Sequence, residues 1–297
     1  MSLDLVIFFF TQRPEKTLAL APLREYFQLK KQRFYMKNIM ILLTALFLFQ
    51  NASAQDLDAY EKKMYITGKD TLRYRVLYPE NYKTKKAYPL IVFLHGSGER
   101  GNDNEAQLTH GGKVFLTEEN RNKFQAIVIF PQCPKDSVWV KTKRIKDSDK
   151  RVFLSDDSPS TSTRLVKELM DELVAKKTVN SQKIYLGGLS LGGYGTYDML
   201  IRYPGYFSAA FPICGACTIP LYMERAGTMP LWIFHGAMDK SVSPESDREL
   251  YKNLIARGDK NITYTEYPTM GHNSWDSAFI EPKLLPWLFA NKNKKAK

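Results

Sequence analysis

Gly188-Leu189-Ser190-Leu191-Gly192 follows a short apolar run, Lys183 to Leu186, and opens a helical pattern that stops before Pro204. A short, continuous apolar run of this kind is typical of a buried strand. A serine with glycines two residues before and after it, between a strand and a helix, is typical of a sharp turn that lifts the hydroxyl out of the backbone. The pattern therefore predicts an accessible, nucleophilic Ser190, with a glycine-rich turn without chemistry as the alternative.

Apolar runs and helical patterns alternate on both sides of this turn. The predicted strands are Tyr65 to Thr67, Leu72 to Tyr78, Pro89 to Leu94, Ala126 to Phe130, Lys183 to Leu186, Ala209 to Ile213, Leu231 to Phe234 and Ile262 to Tyr267, and the predicted helices are Ser162 to Lys177, Ser246 to Arg257 and Ser277 to Ala290. The first two strands read as an antiparallel pair. Strand and helix in alternation predict an α/β fold with a mostly parallel, doubly wound sheet in a single catalytic domain, residues 55–297.

Composition is that of an ordinary globular protein. The 297 residues are 44% hydrophobic and 25% charged, and three cysteines are too few for a disulfide scaffold. Four histidines leave little material for a metal site, so we expect no metal and no cofactor. The formal charge of +12 comes partly from a basic tail after Ala290. Because no nucleic-acid-binding motif accompanies that charge, we expect no nucleic-acid partner.

The N-terminal region contains a pattern typical of export. From Met36, a short basic start leads to an apolar stretch, Ile39 to Phe49, and to the small-residue end Ala52-Ser53-Ala54. These parts predict a signal peptide over residues 36–54, with an uncleaved anchor or a buried helix as alternatives. Residues 1–35 precede the expected start and are interpreted as an annotation extension. We expect a secreted or periplasmic protein without stable membrane insertion after cleavage.

A serine hydroxyl needs a base and an orienting carboxylate to act as a nucleophile. Among the histidines only His272 has the expected place after the last strand, whereas His95 and His235 end strands and are interpreted as structural. Asp239 follows the strand Leu231 to Phe234 and lies between Ser190 and His272 in the chain. We predict a triad of these three residues. The other acidic candidates in the interval are Glu245, Asp247 and Asp259.

An oxyanion formed at an acyl carbon needs backbone N–H donors. The N–H of Leu191 is expected to supply one, and Ser97, in the glycine-rich loop after Leu94, is expected to supply the other. A simple tight turn is the alternative for that loop. Trp139 and Trp275 lie in loops near the predicted site and are candidates for substrate binding, with packing under a loop equally open.

Four segments together resemble the α/β-hydrolase superfamily, within it the polyhydroxybutyrate-depolymerase-like and feruloyl-esterase-like carboxylesterases often called predicted peptidases. They are Leu94-His95-Gly96-Ser97-Gly98-Glu99-Arg100-Gly101, Pro131-Gln132-Cys133-Pro134, the serine turn, and Gly271-His272-Asn273-Ser274-Trp275-Asp276. The resemblance covers about Tyr65 to Ala290. It implies a serine carboxylic-ester hydrolase, often acting on acyl groups attached to plant polysaccharides.

The sequence thus predicts an exported serine esterase that works through an acyl-enzyme. Its expected partner is a small-molecule or polysaccharide-linked ester. Two alternatives remain, a serine peptidase of the same fold and a catalytically inactive module that binds carbohydrate. Cys214 and Cys217 are not interpreted as a redox pair, because no thioredoxin-like pattern surrounds them, and whether Cys133 pairs with either stays open.

Overall fold

The computed structural model describes residue 28 and residues 30–38, 57–144, 151–153 and 158–293. The chain divides into two units, Met1–Gln55 and Asp56–Lys297. In the first unit residues 30–38 form helix α1. Residues 39–54 of the predicted signal peptide and most of the basic tail lie outside the described residues, so both stay predictions. Within the described part, no helix has the length and apolar character required to cross a membrane.

The second unit is built on an eight-stranded sheet. Its strands are β1 (Glu61–Thr67), β2 (Asp70–Leu77), β3 (Tyr88–Leu94), β4 (Ile127–Gln132), β7 (Val179–Leu189), β8 (Ala209–Ile213), β9 (Leu231–Gly236) and β10 (Ile262–Tyr267). They lie in the order β1-β2-β4-β3-β7-β8-β9-β10. β1 and β2 are antiparallel to their neighbours, and the other strands pair in parallel. The predicted fold class and the opening antiparallel pair are confirmed.

Helices cover both faces of this sheet. They are α2 (Glu118–Lys123), α3 (Thr161–Ala175), α4 (Leu191–Arg202), α5 (Ile219–Arg225), α6 (Glu245–Ala256), α7 (Trp275–Phe279) and α8 (Leu284–Ala290). The single helix predicted over Ser277 to Ala290 is wrong, because the structure has two helices there. Pro282 lies between them, lacks an N–H and disfavours helical geometry in the residue before it, so one continuous helix cannot form.

Strand β3 shows how the two faces share the core. Leu90, Val92 and Leu94 pack on the side covered by α3, α4, α5 and α6. Ile91 and Phe93 pack on the other side, with α7 and α8. Alternate side chains point to opposite faces of a strand, so a central strand with both faces covered is apolar at every position. This burial explains the uninterrupted apolar runs from which the sheet was predicted.

Two long connections leave the carboxyl edge of the sheet. The segment after β3 contains three short 3-10 turns, Ser97–Glu99, Ala106–Leu108 and Gly112–Phe115, followed by α2. The segment after β4 contains a small hairpin formed by β5 (Thr142–Arg144) and β6 (Arg151–Phe153). Parallel sheets place their ligand sites at this edge, where both connections begin.

Candidate active site

Ser190 lies between the end of β7 and the first residue of α4. Its backbone has φ 52° and ψ −116°, a conformation that L side chains rarely adopt. The turn is held from both sides, since the N–H of Ser190 donates to the carbonyl of Ile213 and its own carbonyl accepts from the N–H of Tyr194. The serine therefore lies on a sharp turn between a strand and a helix, the local context that the sequence pattern predicted.

The two glycines of the motif are required by close backbone approaches. A Cβ atom on Gly192 would lie 1.9 Å from the carbonyl oxygen of Leu94 and 2.7 Å from that of His95. A Cβ atom on Gly188 would lie 2.3 Å from the carbonyl oxygen of Gly192. These contacts are with backbone atoms, which cannot move aside as a flexible side chain can. The first turn of α4 therefore presses against the end of β3, and only glycine permits that approach.

Ser190, His272 and Asp239 lie in one hydrogen-bonded line. The Nε2 atom of His272 is 2.9 Å from the Oγ of Ser190, and its Nδ1 is 2.7 Å from the Oδ2 of Asp239. An ionised carboxylate only accepts, so Nδ1 carries the proton and Nε2 is free to accept one from the serine. The structure brings together the three residues that the chain order singled out.

Asp239 is a buried carboxylate with every acceptor position engaged. Its Oδ1 accepts from the N–H groups of Ser241 and Val242 at 2.8 and 2.9 Å, and its Oδ2 faces His272 and His235. Burial alone would raise the pKa of Asp239, but the hydrogen bonds from these groups lower it by more, so that the net pKa lies well below its usual range. The side chain is therefore ionised beside the imidazole of His272.

The other acidic candidates have different partners. Glu245 pairs with Arg248, and Asp259 pairs with Arg257. Asp247 is buried and lies 2.7 Å from the Nδ1 of His235. The structure therefore joins none of these three carboxylates to His272.

The two histidines that end strands are both buried, and they have opposite environments. His95 accepts from the N–H of Cys133 at 3.0 Å, and burial lowers its pKa to about 4. His235 is surrounded by Asp239 and Asp247. Burial lowers the pKa of His235, but hydrogen bonds to these carboxylates raise it by more, to about 10. Sequence reasoning treated the two residues alike, because the pattern His-Gly at a strand end does not show which carboxylates fold against it.

The predicted oxyanion donors lie at the starts of two helical turns that meet near Ser190. Leu191 is the first residue of α4, and Ser97 is the first residue of a 3-10 turn. The first N–H groups of a helix have no acceptor within the helix and are available to an anion. A Cβ atom on Gly96 would lie 3.6 Å from the Cβ of Ser190, which places the Ser97 loop beside the serine.

The loop that carries Ser97 is anchored to the end of β4. The side chain of Gln132 donates to the carbonyl of Glu99 and to Asp103, and it accepts from the N–H of Asn104 at 2.7 Å. The N–H of Gly101 donates to the carbonyl of Cys133 at 3.0 Å. The sequence Pro131-Gln132-Cys133-Pro134 therefore acts as a clamp on the loop, a role that motif reading alone did not reveal.

The two tryptophans behave differently. Trp139 is 0% exposed, its indole N–H donates to the carbonyl of His95 at 2.9 Å, and its ring packs against that of His95. This burial corrects the prediction that Trp139 binds substrate, because a fully enclosed ring offers no surface to a ligand. Trp275 is partly exposed, and its ring lies edge-on to that of His272 at 5.3 Å. It therefore stays a candidate for the wall of the site.

One group among the described residues has the composition of a metal site. The Sγ of Cys214, an oxygen of Asp239 and a nitrogen of His272 all lie within 4.8 Å of one another. Burial raises the pKa of the Cys214 thiol well above its usual value, and the other two side chains are already hydrogen-bonded to each other. A protonated thiol is a poor ligand. We assign no metal to this group, and the expectation of a metal-free reaction stays a prediction. All three cysteines are free.

Comparison with known proteins identifies the family. The model of a family described as phospholipase/carboxylesterase matches residues 81–281, which is more than half of the chain. The chain belongs to the phospholipase/carboxylesterase family. Ser190, Asp239 and His272 all lie within the matched segment. The segment that matches the family model thus contains all three hydrogen-bonded residues.

Two curated proteins are similar to parts of the chain. A poly(3-hydroxyoctanoate) depolymerase from Pseudomonas fluorescens is 32% identical over 121 residues, which are 38% of this chain and 42% of that protein. A probable carboxylesterase SOBER1-like protein from Arabidopsis thaliana is 27% identical over 202 residues, 63% of this chain and 73% of that protein. The chain thus spans less than half the length of the depolymerase.

Comparison with solved structures supports the α/β-hydrolase fold of this chain. A thermostable esterase superposes with a TM-score of 0.71 at 30% identity, covering 80% of this chain and 64% of that chain. A ferulic acid esterase superposes with a TM-score of 0.58 at 16% identity, covering 77% of this chain and 96% of that chain. At the lower identity the likeness concerns the fold alone.

The close packing of α4 on β3 predicts that two glycine substitutions have different effects on the melting temperature. Gly192→Ala is expected to lower the melting temperature by about 10 °C or more, or to prevent folding, because its Cβ would collide with two backbone carbonyls. Gly98→Ala is the control, since no atom lies within 4 Å of its added Cβ and we expect a change of about 2 °C or less. Thermal unfolding followed by circular dichroism measures both. Equal melting temperatures would contradict the close packing of α4 on β3.

Proposed function

We propose that this chain is an exported serine carboxylic-ester hydrolase that works through an acyl-enzyme. The observation that carries the proposal is the line from Ser190 Oγ to His272 Nε2 and from His272 Nδ1 to Asp239 Oδ2, at 2.9 and 2.7 Å. Nucleophile, base and orienting acid are within hydrogen-bond reach of one another, which is the geometric requirement for this chemistry. Membership of the phospholipase/carboxylesterase family supports the same reaction.

The first half of the reaction forms the acyl-enzyme. The Oγ of Ser190 attacks the ester carbonyl carbon while the Nε2 of His272 takes the serine proton. The carbonyl oxygen becomes an oxyanion, and the N–H groups of Leu191 and Ser97 are proposed to bind it. When the bond to the alcohol breaks, the imidazolium of His272 returns the proton to the leaving oxygen. Asp239 stays ionised throughout and stabilises the imidazolium.

The second half releases the acid. Water loses a proton to the Nε2 of His272 and attacks the acyl carbon, and the bond to the Oγ of Ser190 then breaks with return of that proton. The products are a carboxylic acid and free Ser190. The same five groups serve both halves, because the second is the chemical reverse of the first with water in place of the alcohol.

The proposed substrates are acyl esters, including esters attached to polysaccharides. A poly(3-hydroxyoctanoate) depolymerase, a probable carboxylesterase and a thermostable esterase are similar to this chain, which supports this choice of bond. Trp275 is proposed to line the site, because it is partly exposed and contacts His272. A peptidase would prefer amide substrates, and an inactive binding module would turn over neither class.

The first prediction from this proposed function concerns the triad. Ser190→Ala is expected to lower kcat for p-nitrophenyl acetate by at least about 10⁴-fold and to abolish labelling by a fluorophosphonate, because no other group replaces the nucleophile. His272→Ala should be almost as severe. The double variant should be little worse than either single one, since the residues act as a unit.

Two results would contradict the triad assignment. Near wild-type turnover by folded Ser190→Ala would show that Ser190 is not the nucleophile. Additive losses in the double variant would show that Ser190 and His272 act independently. Methyl ferulate and matched anilides, assayed beside p-nitrophenyl acetate, decide between ester and amide bonds. Faster turnover of the amide would favour a peptidase.

The second prediction concerns pH. The proposed base His272 accepts the serine proton only as a neutral imidazole, so kcat/KM is expected to rise with pH. The measurement is a pH series with p-nitrophenyl acetate in buffers of constant ionic strength. A profile that stays flat from about pH 5 to about pH 8 would contradict a histidine base.

The third prediction concerns export. Expression of the gene from Met36 is expected to give a protein in the periplasm or the medium that begins at Gln55, because the pattern before that residue is typical of signal-peptide cleavage. N-terminal sequencing of the recovered protein measures this. An active cytosolic chain that keeps Met36 would contradict the proposal, and replacing Ala52 and Ala54 by bulky residues should block cleavage as a control.

A further inference from the structure

His235 is the residue that links the proposed catalytic acid to a second buried carboxylate. It lies in β9 with 0% exposure. Its Nδ1 is 2.7 Å from the Oδ2 of Asp247, and its Nε2 is 3.3 Å from the Oδ2 of Asp239 and 3.0 Å from the carbonyl oxygen of Val242. Both ring nitrogens therefore face oxygen atoms, and two of these oxygens belong to carboxylates.

The donors and acceptors around this ring favour its doubly protonated form. A carbonyl oxygen and an ionised carboxylate only accept, so Nε2 must carry a proton toward Val242 and Asp239. The hydroxyl of Tyr197 donates to the Oδ1 of Asp247 at 2.6 Å, as expected for an ionised carboxylate. With Asp247 ionised, Nδ1 must carry a proton as well. A ring with both nitrogens protonated is an imidazolium.

The charges around this ring support the same state. The other titratable or charged groups that face it or its two carboxylates are Tyr197, Cys214, Cys217, Arg248, Tyr264, Glu266 and His272. Burial raises the pKa of the tyrosines and cysteines among them, which keeps them neutral. Glu266 is ion-paired with Arg248. The unbalanced negative charges are therefore those of Asp239 and Asp247, and a positive His235 compensates one of them.

Asp239 is shared between two imidazoles through a single oxygen. Its Oδ2 is 2.7 Å from the Nδ1 of His272 and 3.3 Å from the Nε2 of His235. A positive charge on His235 holds this oxygen in place, and it also repels a second positive charge on His272. The acid that orients the proposed base therefore has a fixed counter-charge on its far side.

We propose that His235 is a positioning residue that stays protonated in the folded protein, fixes Asp239 from behind, and opposes protonation of His272 so that the base remains neutral at lower pH. This inference rests on the proposed function, because it assigns a role within the same triad. It predicts that the acid limb of the pH profile, the pH range in which kcat/KM falls as the pH is lowered, depends on a residue that contacts neither substrate nor serine. His235 acts only through Asp239 and the field it creates.

The protonation of His235 is tested directly by NMR on the full chain labelled with ¹⁵N-histidine. At pH 8 we expect one histidine with both ring nitrogens protonated, assigned to His235 by substituting His95, His110 and His272 in turn. In Asp247→Asn that ring should lose its proton at lower pH than in the wild type, because its closest anionic partner is gone. A neutral His235 ring in the wild type at pH 8 would overturn the proposal.

The effect on the base is tested with His235→Gln. Glutamine keeps hydrogen-bond donors near Asp239 but removes the positive charge, so the midpoint of the acid limb of kcat/KM should move up by about one pH unit. A merely structural role would lower the amount of folded enzyme or kcat without moving that midpoint. An unchanged midpoint, or one that moves down, would overturn the proposal.

His95→Gln is the matched control. His95 also ends a strand, is also buried and also precedes a glycine, but its environment keeps it neutral. Its replacement removes no charge, so the acid limb should stay in place whatever happens to kcat. If His235→Gln does not fold, the NMR result on the wild type and on Asp247→Asn still decides the proposal.

Failure of the inference and failure of the proposed function give different results. If the wild type hydrolyses no ester, or if Ser190→Ala keeps its activity, the proposed function fails, and the NMR experiment still reports the state of His235. If ester hydrolysis depends on Ser190 but the acid limb ignores His235→Gln, the inference alone fails. In the inactive case the titration of His272, followed by NMR with and without His235→Gln, replaces the kinetic measurement.

Discussion

The backbone of Ser190, with φ 52° and ψ −116°, is the constraint on which the rest of the site depends. A side chain in this region costs free energy, and it persists only where the surrounding structure holds it. Here β7 enters the turn from one side, and α4 leaves it under the carbonyls at the end of β3. Because that approach requires glycine at 192, the first turn of the helix, the end of β3 and the serine hydroxyl are fixed relative to one another.

Fixing the end of β3 has a consequence for the loop that follows it. The loop begins at His95 directly beside the serine turn, and Gln132, the last residue of β4, and Cys133, which follows it, bind its backbone. Two helical turns, one starting at Ser97 and one at Leu191, thereby begin beside Ser190. Unpaired N–H groups at such starts are suited to a negative oxygen, since they need no movement when charge develops.

The groups behind the imidazole of His272 form a chain of buried polar side chains. Asp239, His235, Asp247 and Tyr197 follow one another at hydrogen-bond or ion-pair distance. Burying charges is costly unless each is paired, and here each carboxylate has an imidazole as a partner. A group of this kind contributes little to stability as a whole, but removal of one member leaves its neighbour charged and unpaired. Such an arrangement holds the carboxylate of Asp239 in one orientation.

Much of this protein followed from the sequence alone. Apolar runs between helical patterns determined the parallel sheet, because strands covered on both faces must be apolar at every position. The glycine spacing around Ser190, together with the order of Asp239 and His272, was sufficient to select three residues that the structure brings together, since each follows its own strand to one edge of the sheet. Local patterns carried these inferences because they depend on neighbours in the chain.

The tertiary structure decided what depends on partners distant in sequence. Trp139 and Trp275 were equivalent as loop tryptophans, and only the packing of the loop against His95 and α4 showed that the first is enclosed. His95 and His235 shared one local pattern, yet one ring is neutral and the other is surrounded by carboxylates. The protonation of a buried ring is set by the charges and hydrogen-bond partners that folding places around it, and these come from elements that the local sequence does not contain.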